Sequence, residues 1–245
     1  MKKLFLAVLL ALGFTAAQAQ LTGNLGLTSD YRFRGISQTQ NGPAVQGGID
    51  YAHESGLYIG NWNSSVSSQM YTNGAGVESD LYAGWKKDIY KGLTVDVGSY
   101  NYFYPRATNG SNPTFDTNEL YLGLGYGPVS AKYSQTLGSY FGTPNSNGSN
   151  YSQVDLAQSF DLLSDSLKDL SFVAHYGHTI VGKHSNLNYN DFNVGLAYAL
   201  PKEWTISAKY YTNSSMTGNF QTANTINGQK LYQNAGVVSL TKTFE

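Results

Sequence analysis

Taken at every second residue, the stretch Leu21–Ser37 separates into two unlike sets. Leu21, Leu25, Leu27, Tyr31 and Phe33 fall on odd positions; Thr22, Asn24, Asp30, Arg32 and Arg34 fall on even ones. Alternation with period two describes an extended strand with one apolar and one polar face. The pattern recurs to the C-terminus and predicts twelve strands. They are Leu21–Ser37, Ala44–Glu54, Leu57–Ser67, Val77–Lys86, Leu93–Tyr104, Thr117–Tyr126, Val129–Leu137, Tyr151–Phe160, Leu170–His178, Tyr189–Ala199, Trp204–Thr212 and Leu231–Phe244. Most have about the 9–11 residues that a tilted strand needs to cross a bilayer.

The connections alternate too. Ser55-Gly56, Gly127-Pro128 and Leu200–Glu203 are short, and Lys87–Gly92 and Asp161–Asp169 are intermediate. Ser68–Gly76, Pro105–Asp116, Gly138–Asn150 and Asn213–Lys230 are longer and rich in Asn, Ser, Gly and Thr. Gln38–Pro43 is a short exception among the long set. Short turns at one end and long loops at the other are a habit of outer-membrane barrels. Face parity predicts two hairpins. A two-residue turn joining Glu54 to Leu57 would place Val45, Ile49 and Tyr51 on the face of Tyr58, Trp62 and Val66. Gly127-Pro128 would likewise align Leu120, Leu122, Leu124 and Tyr126 with Val129, Ala131 and Tyr133.

The expected fold is therefore all-β: a single antiparallel transmembrane β-barrel of about twelve strands, with short periplasmic turns and longer extracellular loops. Residues 1–19 read as a cleaved signal peptide. Lys2 and Lys3 precede the apolar run Leu4–Phe14, and Ala17-Gln18-Ala19 supplies a small-x-small cleavage site. The barrel would then occupy residues 20–245, and the address would be the bacterial outer membrane. Composition agrees. The chain holds 20 Tyr and 27 Gly, only 13% charged residues and no Cys, so disulfides and thiolate metal sites are excluded. Losing Lys2 and Lys3 moves the net charge only from −1 to −3, which does not suit a nucleic-acid partner.

Charge collects on the inward parity: Asp30, Arg32, Arg34, Asp50, Glu78, Asp80, Asp96, Glu119, Lys132, Asp155, Asp191 and Lys209. An excess of carboxylates lining a lumen predicts weak cation selectivity. The competing reading has these charges pairing with one another as a plug. If the first hairpin turns near residue 41, Arg32 faces Asp50 and Arg34 is left freer. Tyr100, Tyr102 and Tyr104 share the inward parity, as a solute path or as a girdle. An enzyme is not expected. His178 and Asn190 sit on outward parities of adjacent strands, as a rim lipase would need, but no Gly-x-Ser-x-Gly occurs. His175 and His178 point to opposite faces of one strand, which leaves no metal site with His184. His53 is expected at the periplasmic interface, and no cofactor is implied.

The run SDYRFRGISQTQNGPAVQGGIDYAHESGLYIGNWNSSV, residues 29–66, resembles the opening of the TorF family of porins of Gram-negative bacteria. SDLYAGW (79–85), DVGSYNYFYP (96–105) and ELYLGLGYGPVSAKYSQ (119–135) extend the likeness. The resemblance implies a signal-bearing outer-membrane barrel and a channel, but no substrate. Partners would be outer-membrane lipid and lipopolysaccharide, the barrel-assembly machinery and small solutes. Phe244 keeps the apolar parity of Val238 and Leu240 and supplies a terminal aromatic signal, followed by Glu245. A diffusion channel for small polar or ionic solutes is thus expected. A non-conducting structural or adhesive barrel and a secreted soluble β-sandwich are the alternatives.

Overall fold

Once alternating strands pair side by side, every apolar face lies on one side of the sheet and every polar face on the other. The computed structural model describes residues 20–108 and 114–245. The expected signal peptide, residues 1–19, and residues 109–113 of one long loop lie outside them. Twelve strands form one closed antiparallel barrel. They are β1 (Gln20–Thr28), β2 (Ala44–Ala52), β3 (Leu57–Ser65), β4 (Val77–Tyr90), β5 (Leu93–Phe103) and β6 (Thr117–Tyr126). Then follow β7 (Val129–Thr136), β8 (Asn150–Ser159), β9 (Leu170–Ile180), β10 (Tyr189–Leu200), β11 (Trp204–Ser214) and β12 (Ala235–Phe244). Each pairs with its neighbour in sequence, and β12 returns to β1 with Gly23 opposite Phe244.

The polarity is inside out. Leu25, Ile49, Ile59, Leu81, Leu122, Val154, Val194, Ile206 and Val238 are exposed on the outer wall. Asp50, Glu78, Asp80, Glu119, Asp191 and Lys209 are buried inside. A soluble sandwich would bury the first set, so that alternative is excluded; an apolar belt around a polar interior is the arrangement of a membrane-spanning barrel. The abundance of Gly and Tyr follows from the same geometry. Inward tyrosines lie across inward glycines of the next strand: a Cβ on Gly84 would sit 2.5 Å from the Tyr58 hydroxyl, and one on Gly98 2.6 Å from that of Tyr121.

Two expectations are corrected. Leu21–Ser37 is not one strand: β1 stops at Thr28, and residues 29–43 turn into the barrel. The first long loop is therefore not a short exception. The hairpin between β2 and β3 is also shifted by one residue. Ala52 pairs with Tyr58 and Tyr51 with Ile59, because the turn spans His53–Leu57, with Gly56 at φ +97° and the His53 amide donating to the Leu57 carbonyl. Tyr58 and Val66 therefore face inward, while Leu57 and Ile59 face outward. Gly127-Pro128 does make the expected two-residue turn, with Tyr126 opposite Val129. β4 runs on to Tyr90 and turns at Lys91-Gly92. The loop after β11 holds a short helix, α1 (Gly218–Ala223).

The wall assignment predicts the effect of charge. Leu122→Arg, Val194→Arg or Ile59→Arg should each cost roughly 2–4 kcal/mol if near the bilayer midplane. Gly123→Arg should cost less, since it enters the lumen. Reversible urea unfolding from lipid vesicles measures the difference, and equal costs at Leu122 and Gly123 would contradict the assignment.

Candidate functional site

The site is the lumen, and the inward segment 29–43 divides it. Within that segment Arg32–Phe33 pairs with Ile36–Ser37 as a minimal hairpin. Arg34 (φ +48°) and Gly35 (φ +77°) form its tip, the paired positive φ angles that a tight two-residue turn demands. The tip crosses to the far wall. A Cβ on Gly35 would lie 2.5 Å from Asn213 Nδ2 and 2.7 Å from Asp191 Cβ, so nothing larger fits.

Charge and aromatic contacts fix this hairpin at several points of the wall. Arg34 donates to Glu119 on β6 at 2.7 Å, and both side chains are buried. Its guanidinium carbon stands 4.2 Å from the Tyr151 ring centroid and 4.7 Å from that of Phe33. The Tyr189 hydroxyl donates to the Arg34 carbonyl at 3.0 Å. Arg32 donates to Asp30 at 2.7 Å and to the Gln233 carbonyl at 2.7 Å. Neither arginine behaves as expected. Arg32 pairs with Asp30 rather than Asp50, because the chain leaves the sheet at Thr28 and never forms a ladder there. Arg34 is not free. Asp50 instead accepts from Tyr82 at 2.5 Å.

Above and around the hairpin, the long-loop end is packed. Tyr31, Tyr71, Tyr102 and Tyr104 form a buried cluster with Phe33, Phe115 and Phe141 against it. Ile36, Tyr189, Phe220, Leu231 and Tyr232 form a second. Tyr100, Tyr102 and Tyr104 do point inward, as elements of this packing. Tyr100 donates to Asp80 and Tyr31 to Glu78, each at 3.1 Å.

Below the hairpin the lumen holds a small, partly open cavity of about 90 Å³. Tyr58, Tyr82, Lys86, Asp96, Tyr121, Lys132, Gln153 and Asp155 are among its walls. Asp96 accepts from Tyr58 at 2.7 Å. Lys132 lies 5.3 Å from the Tyr121 ring centroid, and neither Lys132 nor Lys209 forms an ion pair among the described residues. His175, absent from the expected set, bridges two members of it. Its Nδ1 is 2.6 Å from Asp155 and its Nε2 3.0 Å from Asp191. The Tyr151 hydroxyl also stands 2.9 Å from Nε2, so histidine, tyrosine and the two aspartates form one hydrogen-bonded cluster. The signal for His175 was available: it shares the inward parity of β9. Lys86 likewise shares the parity of Glu78 and Asp80.

On the outer wall, His178 Nδ1 is 2.6 Å from Asn190 Oδ1, but no serine hydroxyl bonds to His178 among the described residues. No group of three or more His, Asp or Glu suited to a metal occurs among them either.

The hairpin's anchor is testable. Glu119→Ala leaves Arg34 buried without its partner, and should weaken hairpin docking by about 3–5 kcal/mol. Replacing both members, Arg34→Met with Glu119→Leu, should recover much of that. Trp62, whose ring lies edge-on to Tyr31 at 5.3 Å, reports docking through its fluorescence. An unchanged spectrum in Glu119→Ala would show that the pair does not hold the hairpin.

Solved structures with a similar fold include two porins. The KdgM porin, solved in complex with disordered oligogalacturonate, superposes with a TM-score of 0.55 at 11% identity, covering 92% of this chain and 99% of that one. The NanC porin gives a TM-score of 0.51 at 11% identity, covering 92% and 100%. At such identities the likeness establishes the fold. Comparison with curated proteins gives no match. A family model described as "Bacterial protein of unknown function (Gcw_chp)" matches residues 14–244, and the chain belongs to that family.

Proposed function

We propose that this protein is a porin-type channel of the bacterial outer membrane for small polar or ionic solutes. Its short turns lie in the periplasm, and its long loops face outward. The observation that carries the reading is a closed barrel with a lipid-compatible outer wall and a polar cavity inside, narrowed by the hairpin 29–43. The porin fold of the structural neighbours and the TorF-like run Ser29–Val66 support it. The export signal expected at residues 1–19 is consistent with that address.

The weak cation preference expected from residue counts belongs to this reading, and pairing within the lumen makes it smaller still. Asp30 and Glu119 are paired with arginines, Asp155 and Asp191 share His175, and Asp50 accepts from a tyrosine. The cavity itself sets Lys86 and Lys132 against Asp96 and Asp155. Such balance leaves little net field, and about 1 M salt, with a Debye length of about 3 Å, should erase the rest.

A non-conducting barrel whose loops do the work is the second reading. The packed aromatic clusters at the long-loop end favour it.

Planar bilayers separate the two. Purified protein should carry current, with a reversal potential displaced only slightly towards cations in a low-salt gradient. Lys132→Gln should move that potential towards cations and Asp155→Asn towards anions. Absence of current, even from a Gly35→Val variant that cannot seat the hairpin, would favour the non-conducting reading. For orientation, a cysteine replacing Thr222 should label on intact cells and one replacing Glu54 should not.

A further inference from the structure

Beside the hairpin, Glu78 and Asp80 project inward from β4, one strand repeat apart. Glu78 is 0% and Asp80 1% exposed. Neither forms an ion pair among the described residues. Glu78 Oε1 accepts from Tyr31, and Asp80 Oδ2 accepts from Tyr100. The other two oxygens, Glu78 Oε2 and Asp80 Oδ1, are buried and accept no well-formed hydrogen bond, although the Tyr104 hydroxyl faces Glu78.

The titratable groups facing this pair are all phenols. Tyr31 comes from the hairpin, Tyr71 from the loop after β3, Tyr82 from β4 itself, and Tyr100, Tyr102 and Tyr104 from β5 and its end. On the β3 side the pair meets Ser64 and Trp62, which stand opposite Glu78 and Asp80 in the ladder. The cations of the hairpin are engaged elsewhere: Arg34 with Glu119 and Arg32 with Asp30.

Two adjacent ionised carboxylates, dehydrated and with no cation beside them, repel each other and carry a desolvation cost that phenolic hydrogen bonds do not cover. A proton on one carboxyl removes a charge and supplies an O–H for an orphaned oxygen. We propose that the Glu78–Asp80 pair is a proton-operated latch for the hairpin 29–43, holding it across the lumen when at least one carboxyl is protonated. Tyr31 is the link, since its hydroxyl ties the hairpin to Glu78. Loss of that proton to lumen water leaves two buried negative charges. Ionisation strengthens the bond from Tyr31 to Glu78, but one phenolic bond does not offset two dehydrated charges, which are relieved when the hairpin lifts and water enters, widening the mouth. The sign is fixed: acid closes and alkali opens. For one proton released, the closed-to-open ratio falls by up to about tenfold per pH unit.

This inference concerns the channel proposed above, so its test has a readout that does not depend on conduction. Wild-type protein in lipid vesicles is titrated from about pH 5 to about pH 9, above the range where an ordinary carboxylate titrates. Trp62 fluorescence and single-channel current are both followed. The wild type should show a Trp62 shift towards the solvent-exposed spectrum and a rise in current over the same interval. The Glu78→Gln, Asp80→Asn double variant cannot ionise, and should keep the docked spectrum and low current throughout. Heat-modifiable migration shows that each variant is folded. Gly35→Val should give the undocked spectrum at every pH. A Trp62 shift without any current upholds the latch and rejects the channel. Current without a pH-dependent Trp62 change overturns the latch while leaving the channel. A double variant that titrates like the wild type also overturns it.

Discussion

A sheet closed on itself has no exposed edge, but it acquires an interior that must be filled. Twelve strands leave a space too wide for the side chains of the wall alone to close and too dry for stray charges. Every inward polar group must then find a partner or reach water. Here the chain meets that demand with its own first loop, which folds inward where β1 ends. Arg34 carries a guanidinium to Glu119 on the opposite side, and aromatic rings pack around it. Gly35 allows the tip to touch β10 and β11. The wall on that side, the hairpin and the loop clusters above it are thus parts of one packed unit.

That arrangement separates the lumen into two environments. The long-loop half is aromatic and dehydrated, and holds the Glu78–Asp80 pair. The other half is a polar cavity in which lysines and aspartates stand near one another. A count of inward charges treats all of them as equal contributors to the field of a pore. Partners make them unequal, because a carboxylate already bonded to arginine, histidine or tyrosine contributes little to an ion passing the cavity. In the channel proposed above, the position of the hairpin matters more than the net charge.

The legibility of the chain follows the range of the forces involved. Parity along β4 to β12 was readable because each strand declares its lipid face locally, with Leu120, Leu122 and Leu124 as the plainest case. The turn at Gly127-Pro128 was readable for the same reason. Residues 29–37 kept the alternation of β1, yet left the sheet. Their alternation serves a hairpin segment whose two faces meet Glu78 on the wall and Gln233 in the loop before β12. Nothing local distinguishes that from a longer strand. The β2–β3 turn failed for a smaller reason. Gly56 in a left-handed conformation adds one residue to the loop, and one residue inverts every side chain that follows.

By itself, then, the sequence determined an all-β barrel, most of its strands, and which charges point inward, since those depend on period-two burial against lipid. It also placed Glu78, Asp80, Glu119, Asp155 and Asp191 in the lumen. Only the tertiary structure decided who pairs with whom: Arg34 with Glu119, His175 between Asp155 and Asp191, and Tyr31 on Glu78. Those contacts join residues far apart in the chain. They exist because closure brings distant strands to face one another across a narrow lumen, a geometry that no local pattern encodes.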